Sequence, residues 1–306
     1  MLKEQILVLF REKIRQEIEN SNLDFEKIQE IRVRVGKPII LMENGKEHIV
    51  ETKITLRDIL DIVETACGYS GYAFEEEISK GYITIQGGHR IGIAGRAVMT
   101  AQGVQTIKHI SALNIRIAHP VTGCAEKWRH FFYKEKRPCH VLIISPPGCG
   151  KTSLLRDAVR ILSDGSKEID GVTVGVVDER SEIAGTYRGA ATHNLGMRTD
   201  VLDGCPKSLG MEMLLRSMSP KVLAVDEIGV NDVGAIENTL RCGCKVLATL
   251  HGEWIQDFLE KPGFESLVRE RVFERYIFLE MGQTPGTVKV IYGQNFEVLW
   301  GEDTCT

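Results

Sequence analysis

The segment Ser145-Pro-Pro-Gly-Cys-Gly-Lys-Thr152 carries the most definite chemistry in this chain of 306 residues. It follows the apolar run 141–144 and precedes a stretch of helical character, 152–160. A strand, a glycine-rich loop and a helix in this order are typical of a phosphate-binding loop, in which backbone N–H groups surround the β-phosphate and a lysine ammonium reaches the β- and γ-oxygens. The Thr152 hydroxyl would hold Mg²⁺. We expect ATP with Mg²⁺ to be bound by Ser145, Pro146, Pro147, Gly148, Cys149, Gly150, Lys151, Thr152 and Ser153.

Ser145 departs from the usual pattern G-x-x-x-x-G-K-[ST], which has glycine at this position. Gly148 and Gly150 remain where the backbone has to approach phosphate closely, and serine is small and forms local turns. We therefore interpret the segment as a variant of the motif. The alternative is an ordinary strand-to-helix turn that is rich in glycine and proline.

An apolar strand that ends in two acids, Val222-Leu-Ala-Val-Asp226-Glu227, follows further along the chain. In phosphate-loop NTPases an aspartate at a strand end orients Mg²⁺, and an adjacent glutamate can take a proton from the attacking water. The alternative is an acidic turn after a buried strand. Together with the loop, the pair predicts hydrolysis rather than passive nucleotide binding, with Thr152 and Asp226 at the metal and Glu227 as general base.

Polar residues also follow two other apolar runs. Glu179 and Glu182 come after one of them, where an acid could hold the water shell of Mg²⁺ or position the nucleophile; the alternative is a solvated charged turn. His251 ends the other, just after Thr249, at a place where a side chain could sense the γ-phosphate by hydrogen bond; the alternative is a structural histidine. Ligands of open α/β sheets bind at the carboxyl ends of the strands, so these loops are expected to form one site.

Arginines are a further expected part of the site, because an arginine supplied in trans stabilises charge on the transferring phosphoryl group of NTPases. Two sets of candidates are open, one in the first predicted domain and one in the second. The first set is Arg90, Arg96 and Arg116, and the second is Arg188, Arg198 and Arg216.

Composition indicates a soluble chain: 43% of the residues are apolar, 26% are charged, and the net charge of −4 argues against a generally basic nucleic-acid binder. No stretch approaches the roughly 18 to 20 apolar residues that span a bilayer, and the first residues lack a signal-peptide pattern. The eight cysteines are scattered, which favours reduced thiols over disulfides or zinc. We expect a cytoplasmic protein whose membrane association is peripheral.

Residues 1–120 show the mixed pattern of a small α+β domain. Apolar spacing predicts a helix over 2–19 and another over 55–68, which begins with the cap-like Thr55-Leu-Arg-Asp58. A helix and linker would occupy 121–138. Alternation and turn residues predict strands at 31–35, 39–42, 48–50, 82–86, 89–94 and 112–118.

From 139 to 306 apolar strands alternate with helices, as in a parallel sheet that is covered on both faces. The predicted parallel strands are 140–144, 172–177, 221–225 and 245–250. An antiparallel meander of 276–280, 287–291 and 296–299 would extend the sheet. The predicted fold class is α/β: a small N-terminal α+β domain, then a P-loop ATPase domain with a mainly parallel sheet.

At this point the chain resembles a known family, the stage III sporulation AA proteins, which are related to the ATPases of bacterial secretion systems and type IV pili. The resemblance covers nearly the whole chain and is carried by six segments, of which the third and fourth in the list below are long and specific. The segments are Glu30-Ile-Arg-Val-Arg-Val-Gly36, Gly88-His-Arg-Ile-Gly-Ile-Ala-Gly95, Pro146-Pro-Gly-Cys-Gly-Lys-Thr152, Val177-Asp-Glu-Arg-Ser-Glu-Ile-Ala-Gly185, Arg198-Thr-Asp-Val-Leu-Asp-Gly-Cys-Pro206, and Leu214-Leu-Arg-Ser-Met-Ser-Pro220 leading into Asp226-Glu227-Ile-Gly229.

The resemblance implies that Asp178-Glu179 is an acidic box, that Thr249-Leu-His251 is a histidine box, and that Arg216 is the arginine preceding the second nucleotide motif. It also implies an N-terminal domain packed on a RecA-like ATPase domain, and a homo-oligomeric ring of six with ATP between subunits. In endospore-forming bacteria such a ring would be the motor of a secretion-like, channel-forming complex between mother cell and forespore. Its location would be the mother-cell cytoplasm, at the membrane through membrane-embedded partners.

Two other functions share the same nucleotide site. A RecA-like ATPase acting on single-stranded nucleic acid is the runner-up, but it needs a basic, aromatic-bearing groove, and the sequence shows dispersed charge with 7% aromatics. A kinase would need an acceptor pocket, for which the sequence gives no signal. A GTPase is disfavoured because the guanine-reading motif N-K-x-D is absent. We therefore do not expect nucleic acid as a partner.

Overall fold

The structure is a computed structural model that describes residues 2–68, 75–101, 103–119 and 121–301. The chain forms two compact units. Met1–His119 and Gly185–Thr192 make up the N-terminal unit, and Pro120–Ala184 and His193–Thr306 make up the C-terminal unit. The chain therefore leaves the C-terminal unit at 185 and returns to it after 192. The predicted domain division, with boundaries at 120 and 138, did not include this crossing segment.

Six strands form one antiparallel sheet in the N-terminal unit. They are β1 (Ile28–Arg34), β2 (Ile39–Glu43), β3 (Lys46–Val50), β4 (Tyr82–Ile85), β5 (His89–Thr100) and β6 (Gly103–Arg116). Their spatial order is β3-β2-β1-β6-β5-β4. In β1, Ile31 and Val33 are buried while Arg32 and Arg34 stay partly exposed, as expected when one face of a sheet is covered.

Helices of the N-terminal unit cover the buried face of this sheet. They are α1 (Leu2–Leu7), α2 (Glu12–Asn20), α3 (Leu56–Ala66) and α4 (Glu75–Ser79). The prediction of one helix over 2–19 is wrong, because the chain turns between α1 and α2 and buries the adjacent Leu9 and Phe10 there. α3 starts as predicted: Thr55 Oγ1 accepts from the Asp58 N–H, and Asp58 Oδ2 accepts from the Thr55 N–H.

A bulge interrupts the long hairpin of β5 and β6. A Cβ on Gly95 would lie 2.7 Å from the Lys108 carbonyl oxygen, so only glycine fits this close approach. Before the bulge Arg90 lies opposite Arg116, and beyond it Arg96 lies opposite Lys108. The three first-half arginines thus belong to one pair of strands.

The segment 121–138 is part of the core of the C-terminal unit and not a spacer. It holds a 3-10 helix, Glu126–Phe132, and a hairpin of β7 (Tyr133–Lys134) and β8 (Arg137–Pro138). The Ala125 N–H donates to Asp157 Oδ2 at 2.8 Å. The buried aromatic residues of this segment are Trp128, Phe131, Phe132 and Tyr133.

Eight strands form the sheet of the C-terminal unit. They are β9 (Val141–Ser145), β10 (Val174–Asp178), β11 (Thr199–Asp203), β12 (Val222–Val225), β13 (Lys245–His251), β14 (Arg275–Leu279), β15 (Val288–Gly293) and β16 (Val298–Gly301). The order is β11-β10-β12-β13-β9-β14-β15-β16, parallel up to β14 and antiparallel beyond it. The fold-class prediction of an α/β chain with a mainly parallel sheet is confirmed.

Helices cover both faces of this sheet. They are α5 (Lys151–Asp164), α6 (Lys207–Ser217), α7 (Val233–Arg241), α8 (Ile255–Leu259) and α9 (Glu265–Arg269), with a 3-10 helix at Val230–Asp232. Val141 and Ile143 of β9 pack in the cluster that contains α5, while Leu142 and Ile144 pack in the cluster on the other face. The continuous apolar strands of the sequence are thus explained, because both faces of each are buried.

β11 was not predicted, because it is an edge strand of the sheet and its residues Thr199–Asp203 include few apolar side chains. No helix within 2–68, 75–101, 103–119 or 121–301 has the length and apolar composition that crossing a bilayer requires.

Candidate nucleotide site

The loop between β9 and α5 has the backbone conformation that its glycines allow. Gly148 and Gly150 have φ of 82° and 91°, a region in which other residues are strained. A Cβ on Gly150 would lie 2.4 Å from the Gly286 nitrogen, and the N–H of Gly286 donates to the Cys149 carbonyl at 2.8 Å. Gly150 is therefore required both by its φ and by the close approach of 285–286.

The loop accommodates Ser145 at the position where the usual motif has its first glycine. Ser145 is buried, and its hydroxyl donates to the Pro146 carbonyl at 2.8 Å. Pro147 is exposed, Cys149 is buried, and Ser153 lies in the first turn of α5. The serine thus forms a local turn contact inside the loop.

Lys151 begins α5 and turns its side chain back over the loop. Its Nζ donates to the carbonyl oxygens of Ser145 at 3.0 Å and Pro146 at 3.2 Å, and the residue is 6% exposed. A buried ammonium needs such oxygen partners. The lysine is therefore placed where it could exchange loop carbonyls for phosphate oxygens.

A hydrogen-bonded series of side chains joins α5 to the ends of β12 and β13. Thr152 Oγ1 donates to Asp226 Oδ2 at 2.6 Å. Thr249 Oγ1 donates to the other carboxylate oxygen of Asp226 and accepts from the Glu227 N–H at 2.8 Å. A hydroxyl and a carboxylate are the hard oxygen ligands that Mg²⁺ prefers, so Thr152 and Asp226 fit this ion.

Glu227 has a backbone conformation that is unusual for glutamate. Its φ is 51°, which costs roughly 1 to 3 kcal/mol for a residue other than glycine. Thr249 is fully buried and holds this conformation from two sides, because its hydroxyl binds the Glu227 N–H and its carbonyl accepts from the Ile228 N–H at 2.9 Å. The strained backbone presents the Glu227 carboxylate at the carboxyl edge of the sheet.

Asp178, at the end of β10, shapes the loop that follows it. It is 2% exposed, and its carboxylate accepts from the N–H groups of Glu182 at 2.8 Å, Ile183 at 3.0 Å and Ala184 at 2.8 Å. Burial raises the pKa of Asp178, and the three N–H bonds oppose that rise. Asp178 therefore has a structural task, and the acids of this loop that remain for chemistry are Glu179 and Glu182.

A pocket lies between the ends of β10 and β12, and it brings the predicted acids together. Arg180 Nη1 is 3.1 Å from Glu227 Oε2, and Lys207 Nζ is 2.5 Å from Glu179 Oε2. The lining residues are Val177, Asp178, Glu179, Arg180, Glu182, Lys207, Asp226 and Glu227. His251 ends β13 opposite Ser145, so it lies at the same edge of the sheet as the loop.

A family model described as sporulation stage III, protein AA, matches residues 1–299. The chain belongs to this family. The stage III sporulation protein AA of Bacillus subtilis (strain 168) is 43% identical over 283 residues, which cover 91% of this chain and 92% of that protein. The resemblance inferred from the sequence motifs is therefore confirmed.

Solved structures place this stage III AA family member in a wider fold group. The Legionella pneumophila ATPase DotB aligns with a TM-score of 0.59 at 14% identity, over 92% of this chain and 80% of that chain. The pilus retraction motor PilT, solved with bound ADP, aligns with a TM-score of 0.58 at 13% identity, over 96% and 83%. At these identities the likeness concerns the fold alone.

Two candidate arginines of this stage III AA protein lie at the amino edge of the C-terminal sheet, opposite the loop. Arg198 precedes β11, and its guanidinium donates to the Ser163 carbonyl near the end of α5 at 2.9 Å. Arg216 lies in the last turn of α6, exposed and 3.7 Å from Glu212. This placement contradicts a role for either arginine in the site of its own subunit.

The other candidate arginines belong to the N-terminal unit: Arg90, Arg96, Arg116 and Arg188. Arg90 lies over the Tyr82 ring at 4.9 Å, and Arg116 is 3.4 Å from Glu30. Arg188 lies over the Tyr187 ring at 5.3 Å. The prediction that Arg188 belongs to the second domain is wrong, because the crossing segment Gly185–Thr192 is part of the N-terminal unit.

Three cations around the pocket of this stage III AA protein were not predicted. Arg156 of α5 donates to the carbonyls of Ile183 and Glu182, both at 2.7 Å, and burial lowers its pKa. Arg180 had a signal, because it stands between two predicted acids. Arg156 and Lys207 had none, since their partners lie on loops that meet only in the folded sheet.

Proposed function

We propose that this protein is a Mg²⁺-dependent ATPase that hydrolyses ATP to ADP and phosphate. The observation that carries the proposal is the series Thr152–Asp226–Thr249–Glu227, which connects a glycine-rich loop to a carboxylate on a strained backbone. Hydrolysis needs both parts, because the loop alone would only bind phosphate. The fold shared with DotB and PilT supports the proposal.

Each residue of the site has a separate task in this proposal. The N–H groups of 146–152 and the Lys151 ammonium bind the β- and γ-phosphates. Thr152 and Asp226 hold Mg²⁺, which neutralises charge on the phosphate oxygens when bound.

Glu227 accepts a proton from the attacking water in this scheme. Glu179 and Glu182 line the same pocket, where they position that water. His251 contacts the γ-phosphate from the end of β13.

Two substitutions test the separate tasks of loop and carboxylate. Lys151→Ala should abolish nucleotide binding, since it removes the ammonium that the loop holds. Glu227→Gln should retain Mg-ATP binding and lose hydrolysis, because the amide preserves shape but does not accept the proton. ATP turnover and the binding of a non-hydrolysable ATP analogue with Mg²⁺ would both be measured. Wild-type turnover by Glu227→Gln would transfer the role of general base to Glu179 or Glu182.

We propose further that the protein works as a RecA-like motor in a ring of six, energising a channel-like complex of the sporulating mother cell through membrane-embedded partners. Its membership of the sporulation family supports the process, and its fold supports the motor. In such a ring Arg90, Arg96, Arg116 and Arg216 would reach ATP held by a neighbouring subunit. The location in this proposal is cytoplasmic, at the membrane through these partners.

A mixing experiment tests whether the arginines act in trans. One inactive protein carries Lys151→Ala, with the arginines intact and no ATP site. The other carries Arg90→Ala, Arg96→Ala and Arg116→Ala, with the ATP site intact. Mixed rings should regain turnover only if one subunit supplies arginines to the ATP of another. Inactivity of all mixtures, with mixed assembly shown by co-purification of an untagged variant with an affinity-tagged one, would refute action in trans.

The alternative of an ATPase acting on single-stranded nucleic acid has one observation in its favour. The exposed face of the N-terminal sheet carries Arg32, Arg34, Arg90 and Arg116 beside the Tyr82 ring. Cations beside an aromatic ring are typical of such binders. Stimulation of turnover by single-stranded DNA, weakened by added salt, would favour this alternative over the motor.

A further inference from the structure

Two cations line the described pocket, and they differ in how firmly they are held. Lys207 is 14% exposed and lies 2.5 Å from Glu179. Arg180 is 66% exposed, and its partner Glu227 is 46% exposed. Exposed ion pairs contribute little to stability, so the Arg180–Glu227 contact is easily exchanged for a better one.

The pocket of Arg180 adjoins the proposed Mg²⁺ site. Asp226 lines this pocket and also accepts the hydrogen bond from Thr152. In Mg-ATP the metal binds the β- and γ-phosphates, so a γ-phosphate held by the loop would lie near this pocket. ADP has no such group. The guanidinium of Arg180 would therefore meet a second anion with ATP but not with ADP.

The main chain next to Arg180 is fixed, while its side chain extends into solvent. Ser181 has φ of 53°, and its hydroxyl donates to Asp203 Oδ1 at 2.7 Å. Asp178 also binds the N–H groups of the next residues, Glu182 to Ala184. A fixed backbone with a long, exposed side chain is suited to a contact that switches between two partners.

We propose that Arg180 distinguishes ATP from ADP by exchanging Glu227 for the γ-phosphate. Without nucleotide, or with ADP, its guanidinium stays paired with the Glu227 carboxylate. With ATP, it moves to the γ-phosphate, whose oxygens accept two parallel N–H bonds and carry more charge. Glu227 is thereby released to accept a proton from water. This inference rests on the proposed ATPase function and adds a switch to it.

A double-mutant cycle on the full chain tests the exchange. Four proteins are compared: wild type, Arg180→Ala, Glu227→Gln and the double variant. Isothermal titration calorimetry in the presence of Mg²⁺ would measure the binding of ADP and of the non-hydrolysable triphosphate AMP-PNP. Arg180→Ala should weaken the binding of AMP-PNP about 10- to 100-fold, as expected for the loss of a charged hydrogen bond, and should change the binding of ADP less than twofold. Glu227→Gln should tighten AMP-PNP only when Arg180 is present.

Two further variants serve as controls. Arg241→Ala removes a similarly exposed arginine that lies 3.6 Å from Glu237, just before β13, and it should leave both affinities unchanged. Arg180→Lys keeps the charge without the planar fork and should give an intermediate AMP-PNP affinity. Thermal unfolding would show that each variant is folded.

Two results would overturn the inference: equal weakening of AMP-PNP and ADP by Arg180→Ala, or the same effect of Glu227→Gln with and without Arg180. Failure of the proposed ATPase gives a different result, since wild type would then bind neither nucleotide, or would bind both without turning ATP over. Binding that Lys151→Ala abolishes and that Arg180→Ala leaves unchanged would remove only the switch.

Discussion

Replacing Thr249 by valine would remove one hydroxyl that holds two residues of the proposed catalytic site. The hydroxyl donates to Asp226 and accepts from the Glu227 N–H at 2.8 Å, and the residue is fully buried. Valine has a similar shape without polar atoms. The substitution therefore leaves the Glu227 N–H without its partner and removes one bond from Asp226, while Thr152 still binds this carboxylate.

The expected magnitude follows from these two contacts. A buried donor left without a partner costs about 1 to 3 kcal/mol. The φ of 51° at Glu227 stores strain of similar size, so the backbone is free to relax once the hydrogen bond is lost. We expect the free energy of unfolding to fall by about 1 to 3 kcal/mol. Displacement of the Glu227 carboxylate should lower ATP turnover about 10- to 100-fold, with Mg-ADP binding unchanged.

Urea denaturation and steady-state ATP turnover would measure the two effects separately. Thr249→Ser retains the hydroxyl and should turn over ATP near the wild-type rate. Thr239→Val is the matched control, because Thr239 is also fully buried but donates only to the Ala235 carbonyl within α7 at 2.8 Å. Wild-type turnover by Thr249→Val, or an equal loss of turnover by Thr239→Val, would refute the reasoning.

Ser145→Gly should leave ATP turnover within a few-fold, since only the hydrogen bond to the Pro146 carbonyl is lost; a large loss would show a direct role for the hydroxyl. Gly150→Ala should greatly weaken Mg-ADP binding, because the new Cβ would lie 2.4 Å from the backbone nitrogen of Gly286. Gly148→Ala should weaken it less, because the Cβ there would lie 3.6 Å from its nearest neighbour, the Met281 side chain. His140 Nδ1 accepts from the Val246 N–H, and burial lowers the pKa of His140 to about 4. As the pH falls, the unfolded chain is protonated at this histidine before the folded protein is. The free energy of unfolding should therefore decrease as the pH is lowered from about 6.5 to about 4, by up to ~1.4 kcal/mol per pH unit. The decrease should be smaller in His140→Gln.

Features that depend on neighbouring residues were predictable from the sequence. The cap at Thr55 requires only an acid three residues later, and the nucleotide loop requires only an apolar strand, glycines and Lys151 in order. The parallel strands were predictable for a related reason. Both faces of each are buried, so each appears as a continuous apolar run.

Features that depend on how separate segments meet were not predictable. Arg180 and Glu227 are 47 residues apart and come together only because β10 and β12 are neighbours in the sheet. β11 lies at the sheet edge and has no apolar run. The opening helix kept its apolar spacing through the turn at Leu9, because residues in a turn can be buried as well as those in a helix.

The crossing segment Gly185–Thr192 has a consequence for how the chain is made. Tyr187 packs on the apolar cluster of the N-terminal unit, so this unit lacks part of its packing until the ribosome has released residue 192. By then the nucleotide loop has also emerged, but β9 has neither of its sheet neighbours, β13 and β14, which are translated later. The usual order in which an N-terminal domain folds before the next one appears does not apply. Completion of the first unit and exposure of the unpaired β9 therefore coincide during translation.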